Sequence, residues 1–322
     1  YMVIQVSDNN EYWWYNKPLK TVSDLDYNKV VAVLVNSWNA EKDKELKLRY
    51  GYQLVRFAHY NREYESAIDF FSKYVESLNY KPVMYYYALN QKAGAERGMG
   101  NITQANYDFI KVFTHTKNLQ ENVYNSIKLS SGYDLSELLS RVTSKEEQND
   151  IYLLLGFQDF SNPLSTIEKI IKNNPDAVQA KVLMARAVKQ ISDAYILDYY
   201  PDNGQKDKRI PFLPTSNEGL EGIYYEQKTL ERIPAYLKEA ENLAIKMAGM
   251  KEVKNKDYWN ITLAYLYFLE KEYTKAKNSL EQVKSTEQIY VDQKFKLQLL
   301  LEVSEQSVIT PEFEVQLYSK YK

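Results

Sequence analysis

Chemistry has few places to begin in this sequence. His59 and His115 are the only histidines and there is no cysteine, so a His-carboxylate hydrolase site or a multi-His metal site would have to be assembled from those two residues. Thiolate ligands, a cysteine nucleophile and disulfides are excluded outright. Both histidines fall at the expected ends of helices, where a solvent-facing imidazole needs no special role. No Gly-rich phosphate loop, Gly-x-Ser-x-Gly elbow or His-Glu-x-x-His pattern occurs in the chain. Carboxylates remain. Two of them flanking a sugar suffice for glycoside hydrolysis, and Glu221, Glu226 and the acids from Asp198 to Asp207 lie nearest an irregular stretch. With 43 acidic residues, chance pairs are guaranteed, and surface solvation is the preferred reading. Asp202-Asn203-Gly204 lacks the alternating ligands and terminal Glu of a calcium loop and reads as a turn. The expectation is a protein that is not an enzyme, with no metal and no cofactor.

The same stretch is better equipped for binding. Tyr199, Tyr200, Asp202, Asn203 and Phe212 are the candidate binding residues, aromatic faces beside polar groups on a segment at about 200–219 that also carries Pro201, Pro211 and Pro214. A loop this long is uncommon in a compact helical domain unless it has a role. The chain holds 30 Tyr against 11 Phe and 4 Trp. Tyrosine packs its ring while keeping its hydroxyl in water, which suits a thin protein with many half-buried positions. A stacking surface for sugars is the functional alternative, but the tyrosines are spread along the whole chain, which favours the structural reading.

Helices are the elements that must position these residues. Tyr64, Ala67, Phe71 and Tyr74 fall three, four and three residues apart, and the spacing returns at Ile102, Ala105, Phe109 and Val112 and again at Tyr273, Ala276, Leu280 and Val283. Each set is one face of a helix, with a small residue where a preceding helix can approach closely. Ten Gly and nine Pro are few for 322 residues, in keeping with a fold without many tight turns. The spacing predicts a first helix behind a Ser23/Asp26 capping box, a second whose face carries Leu46, Tyr50, Leu54, Phe57 and Ala58, and, after the helix of Tyr64 to Val75, a next pair opened by Pro82. Asp134/Glu137 and Ser144/Glu147 predict helices beginning near Leu135 and Lys145. Val178, Val182, Leu183, Ala185, Val188 and Ile191 are expected on one face of a longer helix. Pro234 is expected to interrupt another, and a helix from Ile289 to Val303 to cap the stack before a polar tail.

Leu54, Ala58, Tyr64, Ala67 and Phe71, and more fully Trp259, Leu263, Ala264, Tyr267, Tyr273, Ala276 and Leu280, resemble the tetratricopeptide repeat pattern. Three units are legible. The offset between the Tyr64 and Ile102 sets is 38 residues, against about 34 in that family, and Arg62 and Lys271 stand where the family usually has Gly. The resemblance implies an all-α fold, a right-handed α/α superhelix (solenoid) of antiparallel helix hairpins that holds a protein or peptide on its concave face. A second resemblance, to cell-surface starch-utilisation lipoproteins that also carry tetratricopeptide-like helices, implies glycan binding through the aromatics near 200–219.

The totals bound the partners. A formal charge of −2 and a pI near 6.0 leave no basic stripe for phosphates, so nucleic acid is not expected. The longest apolar run, Val30 to Val35, is far short of the roughly 20 residues that cross a bilayer. Residues 1–22, with Tyr12, Trp13, Trp14 and Tyr15, are expected to lie extended across the first helices, and 23–322 to form one repeat domain. The absence of Cys and the start at Tyr1 rather than Met favour an exported, periplasmic or cell-surface location over a cytoplasmic one.

Overall fold

The computed structural model describes residues 26–129, 135–158, 163–196 and 227–322. The chain divides into two compact units, Tyr1–Thr143 and Ser144–Lys322. Fifteen α-helices and no strand occur among the described residues. Consecutive helices pack in neighbouring pairs, an arrangement compatible with a helical repeat.

The first unit contains α1 (Tyr27–Ala40), α2 (Lys44–Tyr60), α3 (Tyr64–Phe70), α4 (Val83–Gly98), α5 (Ile102–His115), α6 (Gln120–Ser126) and α7 (Leu135–Ser140). Asp26 opens α1 by itself, its carboxylate accepting from the Asn28 and Lys29 amides at 3.0 and 3.3 Å, so the helix starts later than the Ser23 capping box implied. Helix α3 runs into a wider turn at Phe71–Val75, where the Glu76 amide reaches back to Phe71 O. Tyr74 O then receives the Trp38 indole N–H at 3.0 Å. Gly51 on α2 lies against this turn, and any Cβ there would stand 2.5 Å from Tyr74 O.

The second unit contains α8 (Lys145–Gln158), α9 (Leu164–Asn173), α10 (Val178–Ile196), α11 (Gln227–Gly249), α12 (Lys256–Leu269), α13 (Tyr273–Glu281), α14 (Gln288–Ser304) and α15 (Pro311–Tyr321). Leu237, Ala240, Ala244, Trp259, Leu263, Ala264 and Ala276 belong to one core cluster that continues back to Ile167 and Leu183. Two aspartates clamp successive connections. The Asp176 carboxylate accepts the Lys254 and Asn255 amides, and that of Asp257 accepts the Lys284 and Ser285 amides at 3.1 and 2.7 Å.

Ala67, Ala105 and Ala276 are essentially fully buried, as are Phe71, Phe109 and Leu280. Tyr64 and Tyr273 are half-buried, whereas Ile102 is exposed. The three hairpins share one turn. After α2, Glu63 N–H bonds Ala58 O and Arg62 N–H bonds His59 O; after α4, Asn101 bonds Glu96 and Gly100 bonds Arg97; after α12, Glu272 bonds Tyr267 and Lys271 bonds Phe268. This is the Schellman closure, which needs a left-handed residue. Arg62, Gly100 and Lys271 supply it with φ of 64°, 85° and 62°. The two L residues bear a conformational cost that Gly100 avoids. Replacing Arg62 or Lys271 by Gly is therefore expected to raise stability by about 1 kcal/mol each, and Gly100→Ala, whose Cβ meets nothing within 4 Å, to lower it by about as much. Urea unfolding of the three variants checks this; unchanged midpoints would show the turns to be unstrained.

Four expectations need correcting. Leu46, expected on the packed face of α2, is exposed, and Leu48 is buried instead. Val178 and Val182 are exposed and so is Ala185; the buried stripe of α10 is Ala180, Leu183, Met184, Ala187 and Ile191. Pro234 does not interrupt α11, because the ring sits on the exposed side while Tyr236, Leu237 and Ala240 anchor the helix. The expected polar tail is helix α15, started by Thr310 Oγ1 accepting from the Phe313 amide at 3.2 Å, so α14 is not the last element.

Candidate functional site

Among the described residues, the first unit gathers polar chemistry in two places and the second in one. In the first unit, α2 and α4 pack side by side as the leading helices of consecutive hairpins. A strip of aromatic and guanidinium groups crosses them. Arg56 lies over the Tyr60 and Tyr52 rings, 5.4 and 5.9 Å from their centroids, and Tyr52 meets Tyr87 edge-on at 6.4 Å. The rings of Tyr52 and Tyr87 are half-buried and that of Tyr60 is exposed, so the strip combines fixed rings with accessible faces.

His59 lies beside this strip but is not the solvent-facing residue expected. Its ring fills the space left by Gly94, where a Cβ would fall 2.5 Å away, and Nδ1 pairs with Gln91 Oε1 at 2.8 Å. Burial lowers its pKa below the ordinary imidazole value, with the Gln91 bond acting the other way. His115 is exposed and stacks on Tyr86 at 4.2 Å. The histidines occupy separate helices, and among the described residues no group of three or more His, Asp or Glu is placed to hold a metal ion.

Beneath α4, Lys92 serves two buried carboxylates, Asp108 Oδ2 at 2.5 Å and Glu96 Oε1 at 3.4 Å, while Asn101 donates to Glu96 Oε2 at 2.8 Å. This network joins α4 to α5. Because each charge is partnered, it reads as an interhelix tie.

The second unit repeats the ratio of two carboxyls to one ammonium with a different outcome. Glu241 on α11 is fully buried; Oε2 accepts from Lys238 Nζ, and Oε1 has no hydrogen-bond partner. Glu270, at the carbonyl end of α12, is pushed up to about 7 by burial, then by the neighbouring Glu241 carboxyl and its charge, against the pull of Lys238 and Lys275. Nearby, Tyr236 donates to Gln190 Oε1 at 2.9 Å, and the Ser192 and Tyr265 hydroxyls lie 2.6 Å apart. Neither glutamate was singled out by the sequence reading. A signal existed for Glu241: it stands four residues after Leu237 and three before Ala244, on the apolar face. Glu270 carried none, since the equivalent turn positions hold Asn61 and Met99.

Two open clefts among the described residues of the second unit are lined by residues other than this pair. One, of about 810 Å³, is bordered by Lys254, Lys256, Asn260 and Lys284; the other, of about 360 Å³, by Glu168, Glu239 and Lys246. No protein-family model, curated protein or solved structure matches the chain. The sequence-based candidates Tyr199, Tyr200, Asp202, Asn203 and Phe212 lie outside the described residues, as do Glu221, Glu226 and residues 1–22. No described helix is long and apolar enough to cross a membrane.

Proposed function

We propose that this chain is a non-enzymatic adaptor, a tetratricopeptide-like superhelix that holds a protein or peptide segment against the leading helices of its hairpins. The strip Tyr60, Arg56, Tyr52 and Tyr87 carries the reading. It spans two consecutive leading helices, and Tyr and Arg are the residue types that dominate binding energy at protein interfaces, because they present large, fixed, amphipathic contact area at low entropic cost. Three hairpins closed by one turn geometry support the repeat architecture on which such a surface depends.

Selection of a random peptide library on the immobilised full chain tests this. Peptides enriched by the parent are expected to bind the Tyr52→Ala/Tyr87→Ala variant at least tenfold more weakly, a loss of about 1.4 kcal/mol. Neither tyrosine belongs to the fully buried core, and matching circular dichroism of the two proteins would confirm an intact fold. Equal affinity for parent and variant, or no enrichment at all, would remove the proposal. Heat released on titration with polysaccharides but not peptides would move the reading to a glycan-binding protein.

A further inference from the structure

The Lys92 network and the Lys238 network answer the same problem unequally. In the first, Lys92 and Asn101 between them supply both Glu96 oxygens and reach Asp108, and neither carboxylate has a buried oxygen left without a donor. In the second, the Lys238 ammonium is committed to Glu241 Oε2, and Oε1 stays inside the protein without a hydrogen-bond donor. A buried anionic oxygen left without a donor is unfavourable, because its lost hydration is not replaced. The group beside it is another carboxyl, which can fill the need only by carrying a proton.

We propose that Glu241 and Glu270 form a proton-binding site shared between α11 and α12, and that loss of its proton loosens the packing of α11, α12 and α13. With the proton in place, Glu270 donates to Glu241 and the pair carries one negative charge, matched by Lys238. Without it, two carboxylates face each other at the end of α12 where the helix dipole is already negative. The other groups facing Glu270 do not compensate. Lys238 is engaged on α11, the neutral Tyr267 hydroxyl lies on α12, and Lys275 on α13 is shared with Glu272 at 3.3 Å. On α10, among the described side chains, Gln190 and Ser192 are neutral and bond the Tyr236 and Tyr265 hydroxyls.

Below about 4.5, the ordinary value for Glu, folded and unfolded chains both hold the proton and the full contribution is present. As pH rises from there through about 7, the unfolded chain has released the proton and the folded one gives it up, so stability declines; above that the slope vanishes.

Two measurements on the full chain decide the matter. Side-chain carboxyl NMR of the unmutated protein should show one Glu titrating near neutrality, its signal absent in Glu270→Gln. The same resonance should move back toward the ordinary range in Glu241→Gln. Amide protection in α11 to α13, corrected for intrinsic exchange, should fall about tenfold between pH 5.5 and 8.5 in the parent and stay level in Glu270→Gln. A Glu270 resonance titrating near 4.5 in the parent would overturn the proposal without recourse to any variant, and so would an unchanged protection profile in Glu270→Gln.

Discussion

Gly51→Ala is expected to destabilise the first unit by about 2–4 kcal/mol, a large cost for one methyl group. The added Cβ would meet Tyr74 O at 2.5 Å, Val75 Cγ2 at 2.9 Å and Tyr74 C at 3.0 Å, and two of those atoms are backbone, which no rotamer change can move aside. Either α2 backs away from the wide turn at Phe71–Val75 or the turn rewinds. Both remove the Trp38 N–H bond to Tyr74 O and disturb the Trp38–Tyr74 edge contact at 5.3 Å. Gly249→Ala is the internal control. It stands at the end of α11 rather than inside a helix, a Cβ there meets nothing within 4 Å, and no loss is expected. Urea unfolding followed by hydrogen exchange in α1 to α3 reads the difference; a Gly51→Ala protein as stable as Gly249→Ala would show that the two helices do not need this approach.

In the second unit the largest effect is expected at Trp259. It is fully buried in the core cluster, edge-on to Tyr258 at 5.1 Å, and Tyr258 in turn ties α12 to α10 through its hydroxyl on Lys181 O at 2.6 Å. Truncation to Ala should cost about 3–5 kcal/mol, since the lost contacts and the residual cavity both count. Trp259→Phe should cost less than half as much. The indole N–H is buried without an acceptor, so Phe removes an unmet polar group along with some volume. A loss below about 1 kcal/mol for Trp259→Ala would mean that the site collapses freely and the hairpins are not packed as described.

The hairpins were legible because their information is local. Ala67, Ala105 and Ala276 each sit between large apolar neighbours at helical spacing, and only a helix face closing on a second helix explains that arrangement. The left-handed conformation of Arg62 and Lys271 is harder to read, because an L residue in that conformation leaves no trace in the sequence; the resemblance marks them only as standing where the tetratricopeptide family usually has Gly. The face of α10 differs from the expected one for a physical reason: at about 100° per residue Val178 and Val182 fall nearly opposite the stripe of Ala180, Leu183, Met184, Ala187 and Ile191, so apolar character at those two positions does not mark the buried side. Pro234 and α15 were misjudged from breaker rules that tertiary packing and a Thr310 cap override. The Glu241–Glu270 pair is a contact between residues 29 apart on different helices, so no local pattern could announce it. The Tyr52–Tyr87 contact is hidden for the same reason, with 30 tyrosines competing for attention.

The paired aspartates at 176 and 257 give the second unit a way to grow. Each carboxylate grips two amides of the connection leading into a later helix, so the instruction for docking the next hairpin travels with the hairpin before it. A duplicated segment running from one such grip to the next would arrive with its own fastening and find its neighbour's already waiting. Gene duplication could thus lengthen this half of the chain without redesigning any existing contact.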